Sequence, residues 1–467
     1  MSSAARSLFY IFGLAGISLG VSLLSHPLSD IGLEVDISLA VVALWIGGTV
    51  AWFGVRGTYD KAEPFQPGSL RRIQVRVASV LALVLAISLG GVSYWLHERK
   101  TDGSTVSVPT SVPKQPGKLI SAVDYTTGVP DGARAWRILY TTTRDAGVPA
   151  VATALIIEKS AQRAGPRPVI AWAHGTTGIA SDCAPSGNQD PARFSSIPGL
   201  TSALDLGWVV VATDYIGLGT AGPHPYLIGQ GEGRSVLDAV RAAHQLSDVS
   251  LQTKTVIWGH SQGGSAALWA GMLAPTYAPS LDVVGVVGIA PASDLTALVD
   301  YIRRLPNGVL LAGYVITAYS QAYPDVHFDT YVRPAARAAV HAASGLCIAN
   351  GPALLAVANS YNFALGYLGQ DPLTGPLGVR LRQNTPLGKI AAPVLIAQGA
   401  KDQLVLETLQ TAYVARRCAA HGNGPLDYRT YAGRDHVSIV AADSPLVPDL
   451  LNWTEGRFEG RPAPSTC

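Results

Sequence analysis

Thr255-Val256-Ile257-Trp258 runs into Gly259-His260-Ser261-Gln262-Gly263, and Gly264-Ser265-Ala266-Ala267-Leu268-Trp269-Ala270-Gly271-Met272-Leu273 follows. The first four residues are β-branched or aromatic and read as a short strand. The last ten are small and apolar and read as a helix. A serine at the tip of a sharp turn between strand and helix is a nucleophile elbow. The glycines beside it are needed because side chains there would collide with the strand and helix packed against the turn. The helix start behind Ser261 also aims backbone N–H groups at any oxyanion formed there. A second copy of the pattern, Gly16-Ile17-Ser18-Leu19-Gly20, lies in an apolar run without a preceding strand or turn signal. It reads as small residues at a close helix contact.

Around the elbow, strand and helix signals alternate. Ala135–Thr141 and Val151–Glu158 read as antiparallel strands, with Gly147 and Pro149 in the turn region between them. Pro168–Ala173, Trp208–Thr213, Thr255–Trp258, Val283–Ala290 and Pro393–Gln398 read as further strands, Tyr428–Tyr431 as a last one, and Arg234–Leu246 as a helix. This alternation predicts a mostly parallel sheet with helices on both faces, an α/β fold of the α/β-hydrolase kind. Reactive groups in such sheets gather at the carboxyl ends of the strands.

Two such ends supply partners for Ser261. Asp402 follows the strand ending at Gln398, and His436 follows the strand ending at Tyr431. The order Ser261, Asp402, His436 is nucleophile, acid, base. A serine hydroxyl is a poor nucleophile at neutral pH, so His436 would take its proton and later return it to the leaving group. Asp402 would fix the tautomer and stabilise the imidazolium. Asp294, after the strand that follows the elbow helix, is a rival acid but reads better as a helix cap. Asp435 adjoins the base in sequence and would point elsewhere. His174, His224, His260 and His421 are poorer bases. One oxyanion donor is expected from the backbone of Gln262, the other from Thr176 in His174-Gly175-Thr176-Thr177-Gly178, with Gly175 and Thr177 as one-residue shifts.

With these residues assembled, the chain resembles the secretory lipase family of α/β-hydrolases. The resemblance rests on His174-Gly175-Thr176 with Cys183-Ala184-Pro185-Ser186, on Asp214-Tyr215-Ile216-Gly217-Leu218-Gly219 with Gly222-Pro223-His224-Pro225-Tyr226, and on Gly259–Gly264, Asp402 and His436. It covers about Lys118 to Cys467. It implies hydrolysis of carboxylic esters through an acyl-enzyme, an ester or lipid substrate held under a cap, and pairing of Cys183 with Cys347 and of Cys418 with Cys467. From the residues themselves, four widely spaced cysteines without a Cys-x-x-Cys pair argue against a zinc or redox site. They fit either two disulfides in an oxidising compartment or four buried thiols. The cap is expected at about 295–389, where Tyr301, Tyr314, Val315, Ile316, Tyr319, Tyr323, Phe328 and Tyr331 read as helical core or as an acyl tunnel. No metal or other cofactor is expected.

The first hundred residues differ in character. The whole chain has 14% charged residues and a net charge of +2, which gives no argument for a nucleic-acid partner. Its apolar excess sits in Leu8–Leu24, Ile37–Val55 and Val77–Leu96. The second and third are about long enough to cross a ~30 Å hydrocarbon core; the first is shorter and reads as a helix or a signal-peptide core. Arg56, Lys61, Arg71, Arg72 and Arg76 between the second and third spans put that loop in the cytoplasm by the positive-inside rule. The expectation is an integral, multi-pass plasma-membrane anchor over residues 1–100, a Ser/Thr/Pro/Gly-rich linker over 101–117, and a catalytic domain over 118–467 on the extracytoplasmic side. An acyltransferase using the same triad is the alternative, and a non-catalytic membrane binding protein a weaker one.

Overall fold

The structure, a computed structural model, describes residues 112–161, 165–187, 191–305, 308–348 and 366–467. The three apolar stretches and most of the 101–117 segment lie outside the described residues. No helix among the described residues is long and apolar enough to cross a membrane. The end of the segment read as linker is tied to the domain: the Gly117 N–H donates to Thr141 O at 2.7 Å and the Thr141 hydroxyl to Gln115 O.

Nine strands among the described residues form one sheet: β1 (Leu119–Tyr125), β2 (Ala133–Thr143), β3 (Pro149–Lys159), β4 (Arg167–Ala173), β5 (Val209–Ile216), β6 (Leu251–His260), β7 (Asp282–Ile289), β8 (Val394–Gly399) and β9 (Leu426–Tyr431). Their order is β1-β2-β3-β5-β4-β6-β7-β8-β9. From β5 through β9 all neighbours are parallel, while β1, β2 and β3 are an antiparallel edge. This is the mostly parallel sheet expected from the alternation. Pro149 is the first residue of β3, paired with Thr143, where its missing N–H is tolerated, and not part of the turn. Strand β1 carries no alternation and is half-exposed, which is why its sequence gave little signal.

The central strands are buried on both faces, so their residues are apolar without a break. On one face Ala171, Val211 and Ile257 pack against α2 (Gly229–Ala243) and α3 (Gln262–Tyr277) through Leu237, Ala266 and Leu268. On the other, Trp172, Val256 and Trp258 meet α1 (Leu200–Asp205) and α10 (Leu446–Phe458) through Leu204, Leu450 and Trp453. The Trp258 indole N–H donates to Thr454 Oγ1 at 3.0 Å, so the largest buried ring beside the elbow is also polar-satisfied.

Between β7 and β8 the chain leaves the sheet and builds a separate apolar cluster from α4 (Leu295–Ile302), α5 (Gly308–Ala322), α6 (Phe328–Tyr331), α7 (Pro334–Ser344) and α8 (Gly375–Gln383). Tyr314, Val315, Ile316, Tyr319 and Tyr331 are buried core of this insertion, and Tyr301, Tyr323 and Phe328 pack at its margin. A cavity of about 790 Å3 opens beside it, bounded by Trp269, Ala318, Tyr323, Asn384 and other residues; of the eight aromatic and aliphatic residues read as a possible tunnel, only Tyr323 lines it, and Ser261 does not. α9 (Glu407–Ala419) then precedes β9. The cysteines pair Cys183–Cys347 and Cys418–Cys467, with Cα separations of 5.2 and 5.3 Å.

Candidate active site

The elbow forms as its residues require. Ser261 takes φ 56°, ψ −117°, a region a side chain rarely adopts. Its N–H donates to Ile289 O at 2.9 Å, and its carbonyl accepts from Ala292 N, so the end of β7 and the loop after it clamp the strained residue from both sides. A Cβ at Gly259 would strike the Gly263 carbonyl, and one at Gly263 would strike the Ala173 carbonyl. The glycines are there to let three backbones touch.

Strand register brings the distant groups together. Ala173 pairs with Gly259, so the loop after β4 and the turn after β6 leave the sheet level with each other. Gly399 pairs with Tyr431, and Lys401 N donates to Arg434 O, so the loops carrying Asp402 and His436 are laced together. His436 then stands between the other two side chains: Nε2 is 2.9 Å from Ser261 Oγ and Nδ1 is 2.7 Å from Asp402 Oδ2. Asp402 is buried, with its carboxylate fully engaged. Oδ1 accepts from Leu404 N and Val405 N, both at 2.8 Å, and Oδ2 accepts from Gln398 Nε2 at 3.1 Å as well as from His436. That arrangement fixes the Nδ1–H tautomer of His436, leaving Nε2 to face the serine.

The rival residues are used otherwise. Asp294 caps α4, accepting from Ala297 N at 3.1 Å, and pairs with Arg416. Asp435 accepts from the N–H groups of Val437 and Ser438 and from the Ser438 hydroxyl, bonds that hold its carboxyl below the usual carboxylate range. His260 donates from Nε2 to the His436 carbonyl at 2.8 Å. Burial, then the neighbouring His436, lowers its pKa to about 3, so it is neutral.

For the oxyanion donors, Gln262 is the first residue of α3, so its N–H has no intrahelical acceptor. The backbone of Gly175 lies against the elbow: a Cβ there would sit 3.1 Å from His260 Nδ1 and 3.6 Å from Ser261 Cβ. Thr176 follows, its Oγ1 2.9 Å from Tyr226 OH. The loop beyond is stapled to the insertion, with Ile348 N donating to Thr177 O at 2.7 Å and Cys183 bridged to Cys347.

Three contributors escaped the sequence reading. From sequence, Gln398 reads only as a strand end, His260 only as a poor base, and Glu232 belongs to no motif. Glu232 had a signal: a carboxylate inside a run that becomes a buried helix face. No cluster of residues suited to a metal ion occurs among the described residues.

A half-buried serine and imidazole and a buried carboxylate in hydrogen-bonded line, at the carboxyl edge of this sheet, define an α/β-hydrolase architecture. The family model described as Secretory lipase matches residues 197–466, and the chain belongs to that family. It is 29% identical over 356 residues to a protein of Mycobacterium tuberculosis named "Probable inactive lipase MT1628", covering 72% of this chain and 76% of that one. It is 23% identical over 392 residues to Lipase 6 of Candida albicans, covering 76% and 78%. Among solved structures, Candida antarctica lipase A in its closed state superposes with a TM-score of 0.64 at 20% identity, covering 78% of this chain and 88% of that one. The rice cell wall degrading esterase LipA from Xanthomonas oryzae, as its G231F mutant, gives 0.59 at 20%, covering 74% and 98%. At such identities the structures speak for the fold.

Proposed function

We propose that this chain is a serine carboxylic-ester hydrolase of lipase or esterase type, held at a membrane by its first hundred residues. The observation that carries the reading is His436 bridging Ser261 at 2.9 Å and Asp402 at 2.7 Å. In the reaction, Ser261 Oγ attacks the acyl carbon while its proton passes to His436 Nε2. The negative charge on the former carbonyl oxygen is met by the N–H groups of Gln262 and Thr176. Collapse of the tetrahedral species expels the alcohol, which takes the proton from His436, and leaves the acyl group on Ser261. Water, deprotonated by the same imidazole, releases the acid. Asp402 keeps the imidazole turned and balances its transient charge.

A relative named inactive makes the geometry of this chain's own residues the relevant support. The apolar insertion attached to the loop beside the site, through Ile348 and Cys347, and the lipases among its relatives favour an apolar acyl group. Ser261→Ala abolishes hydrolysis of p-nitrophenyl esters and labelling by a fluorophosphonate while the fold survives; full activity in that variant removes the reading. Adding an alcohol to the wild-type assay separates hydrolysis from acyl transfer by the product formed. The anchor rests on the two uncharged spans, Ile37–Val55 and Val77–Leu96. Retention in the membrane fraction after carbonate washing, with a reporter at Lys118 exposed outside the cell, is the expected result.

A further inference from the structure

Both residues assigned as oxyanion donors are held by one short run of chain. His224, Tyr226 and Leu227 lie between β5 and α2, in the segment whose sequence stood out without any role. The Gln262 side chain is 1% exposed, and its Nε2 has two neighbours: His224 Nε2 at 2.9 Å and Glu232 Oε1 at 2.7 Å. His224 Nδ1 faces the Ile216 carbonyl at 2.9 Å and so carries the hydrogen. Burial lowers the His224 pKa to about 3, so the ring is neutral and its bare Nε2 accepts from the Gln262 amide. Glu232 Oε1 also accepts from Leu227 N at 2.9 Å. On the other donor, the Tyr226 hydroxyl meets Thr176 Oγ1 at 2.9 Å.

The run itself is strained and gripped. Leu227 has φ 54°, which a branched residue holds only when its surroundings impose it. Tyr319 of α5 in the insertion donates to Leu227 O at 2.8 Å, and the Tyr226 ring sits edge-on to Tyr314 of the same helix. We propose that His224, Tyr226 and Glu232 are positioning residues of the oxyanion hole, and that α5 of the insertion sets their position. The inference rests on the ester-hydrolase reading of Ser261. Truncating His224 or Glu232 removes one of the two partners of the Gln262 amide, and truncating Tyr226 removes the partner of the Thr176 hydroxyl; either change lets a donor drift from the point where the oxyanion forms.

The test compares Glu232→Leu, Glu232→Gln, Tyr226→Phe and Tyr319→Phe by steady-state ester hydrolysis and by inhibition with an alkyl trifluoromethyl ketone, which forms an oxyanion on the serine. Losing a whole oxyanion donor lowers kcat about 10²–10³-fold; for a displaced donor we expect about tenfold or more in Glu232→Leu, with KM within about threefold. The inhibition constant for the ketone rises in parallel, and Glu232→Gln, which keeps an accepting oxygen, recovers most of the loss. Should Glu232→Leu not fold, Tyr226→Phe removes a single hydroxyl and carries the same comparison. An active wild type whose Glu232→Leu or Tyr226→Phe variant keeps both kcat and ketone affinity overturns the inference alone. A wild type that neither hydrolyses esters nor takes the fluorophosphonate overturns the hydrolase reading and this inference with it.

Discussion

The imidazole of His260 donates to the carbonyl oxygen of His436 at 2.8 Å, with the two rings 4.9 Å apart. The residue beside Ser261 thus fixes the backbone of His436, 176 residues further on. Replacing His260 with Ala frees that carbonyl. The expected result is a fall in kcat of about tenfold or more with little change in KM, since the bond orients the base and touches no substrate. Because His260 is neutral down to about pH 3, its contribution does not titrate across the working range. Steady-state kinetics from pH 5 to 9 check both statements; a constant ratio of wild type to variant is expected.

Asp402→Asn preserves shape but replaces the accepting oxygen pair with an amide. Gln398 Nε2, Leu404 N and Val405 N are all donors, so the new NH2 cannot face any of them comfortably. Its oxygen turns to the backbone donors and its NH2 toward His436, which then holds the wrong tautomer. A loss of roughly 10³–10⁴ in kcat is expected, with near-native circular dichroism.

Stability should depend on pH from two sides. Burial raises Glu232 from about 4.5 to about 8, so the native state binds a proton that the unfolded chain has released. The stability from this group is complete below pH about 4.5 and is lost as pH rises through about 8. His224 and His260, both lowered to about 3, act in the opposite sense, and their share is lost as pH falls below about 6.5. Glu232→Gln has no proton to lose. Its Tm should fall less than that of the wild type between pH 6 and 8.5, as read by differential scanning calorimetry.

The two disulfides should separate in their effects. Cys183–Cys347 ties the loop after Thr176 to the insertion, where Gly178 also packs on the bridge sulfur. Cys418–Cys467 ties α9 to Cys467 and makes no link to the loop that carries Thr176. Replacing either pair with serine is expected to remove about 2–4 kcal/mol of stability. Only the Cys183–Cys347 replacement should also lower kcat, because it loosens the loop proposed to carry the second oxyanion donor. Chemical denaturation and ester kinetics on both variants distinguish the two.

The sheet and the juxtaposition of Ser261, Asp402 and His436 are legible because their signals are local. Uninterrupted apolar runs mark buried parallel strands, glycines at Gly259 and Gly263 mark the elbow, and short polar turns after Gln398 and Tyr431 mark the strand ends. What held those side chains in place was not legible. Gln398 on Asp402, His260 on the His436 carbonyl and Glu232 on Gln262 are long-range contacts between residue types that occur anywhere. Spacing says nothing about them; only strand register and helix packing bring them into reach. The aromatic residues of the insertion read mostly as helical core, and Tyr314, Tyr319 and Tyr331 do form its interior.

The insertion departs after β7 and returns at β8, and those two strands remain paired from Val286–Val394 to Ile289–Ala397. β7 lends the elbow a carbonyl but supplies none of the three reacting side chains. Lengthening, shortening or exchanging the helices between them therefore leaves the chemistry untouched as long as the Tyr319 and Cys347 attachments are kept. On the ester-hydrolase reading proposed above, the molecule is in effect a fixed tool with a replaceable chuck, in which changes in the acyl groups accepted can accumulate without re-evolving the cutting edge.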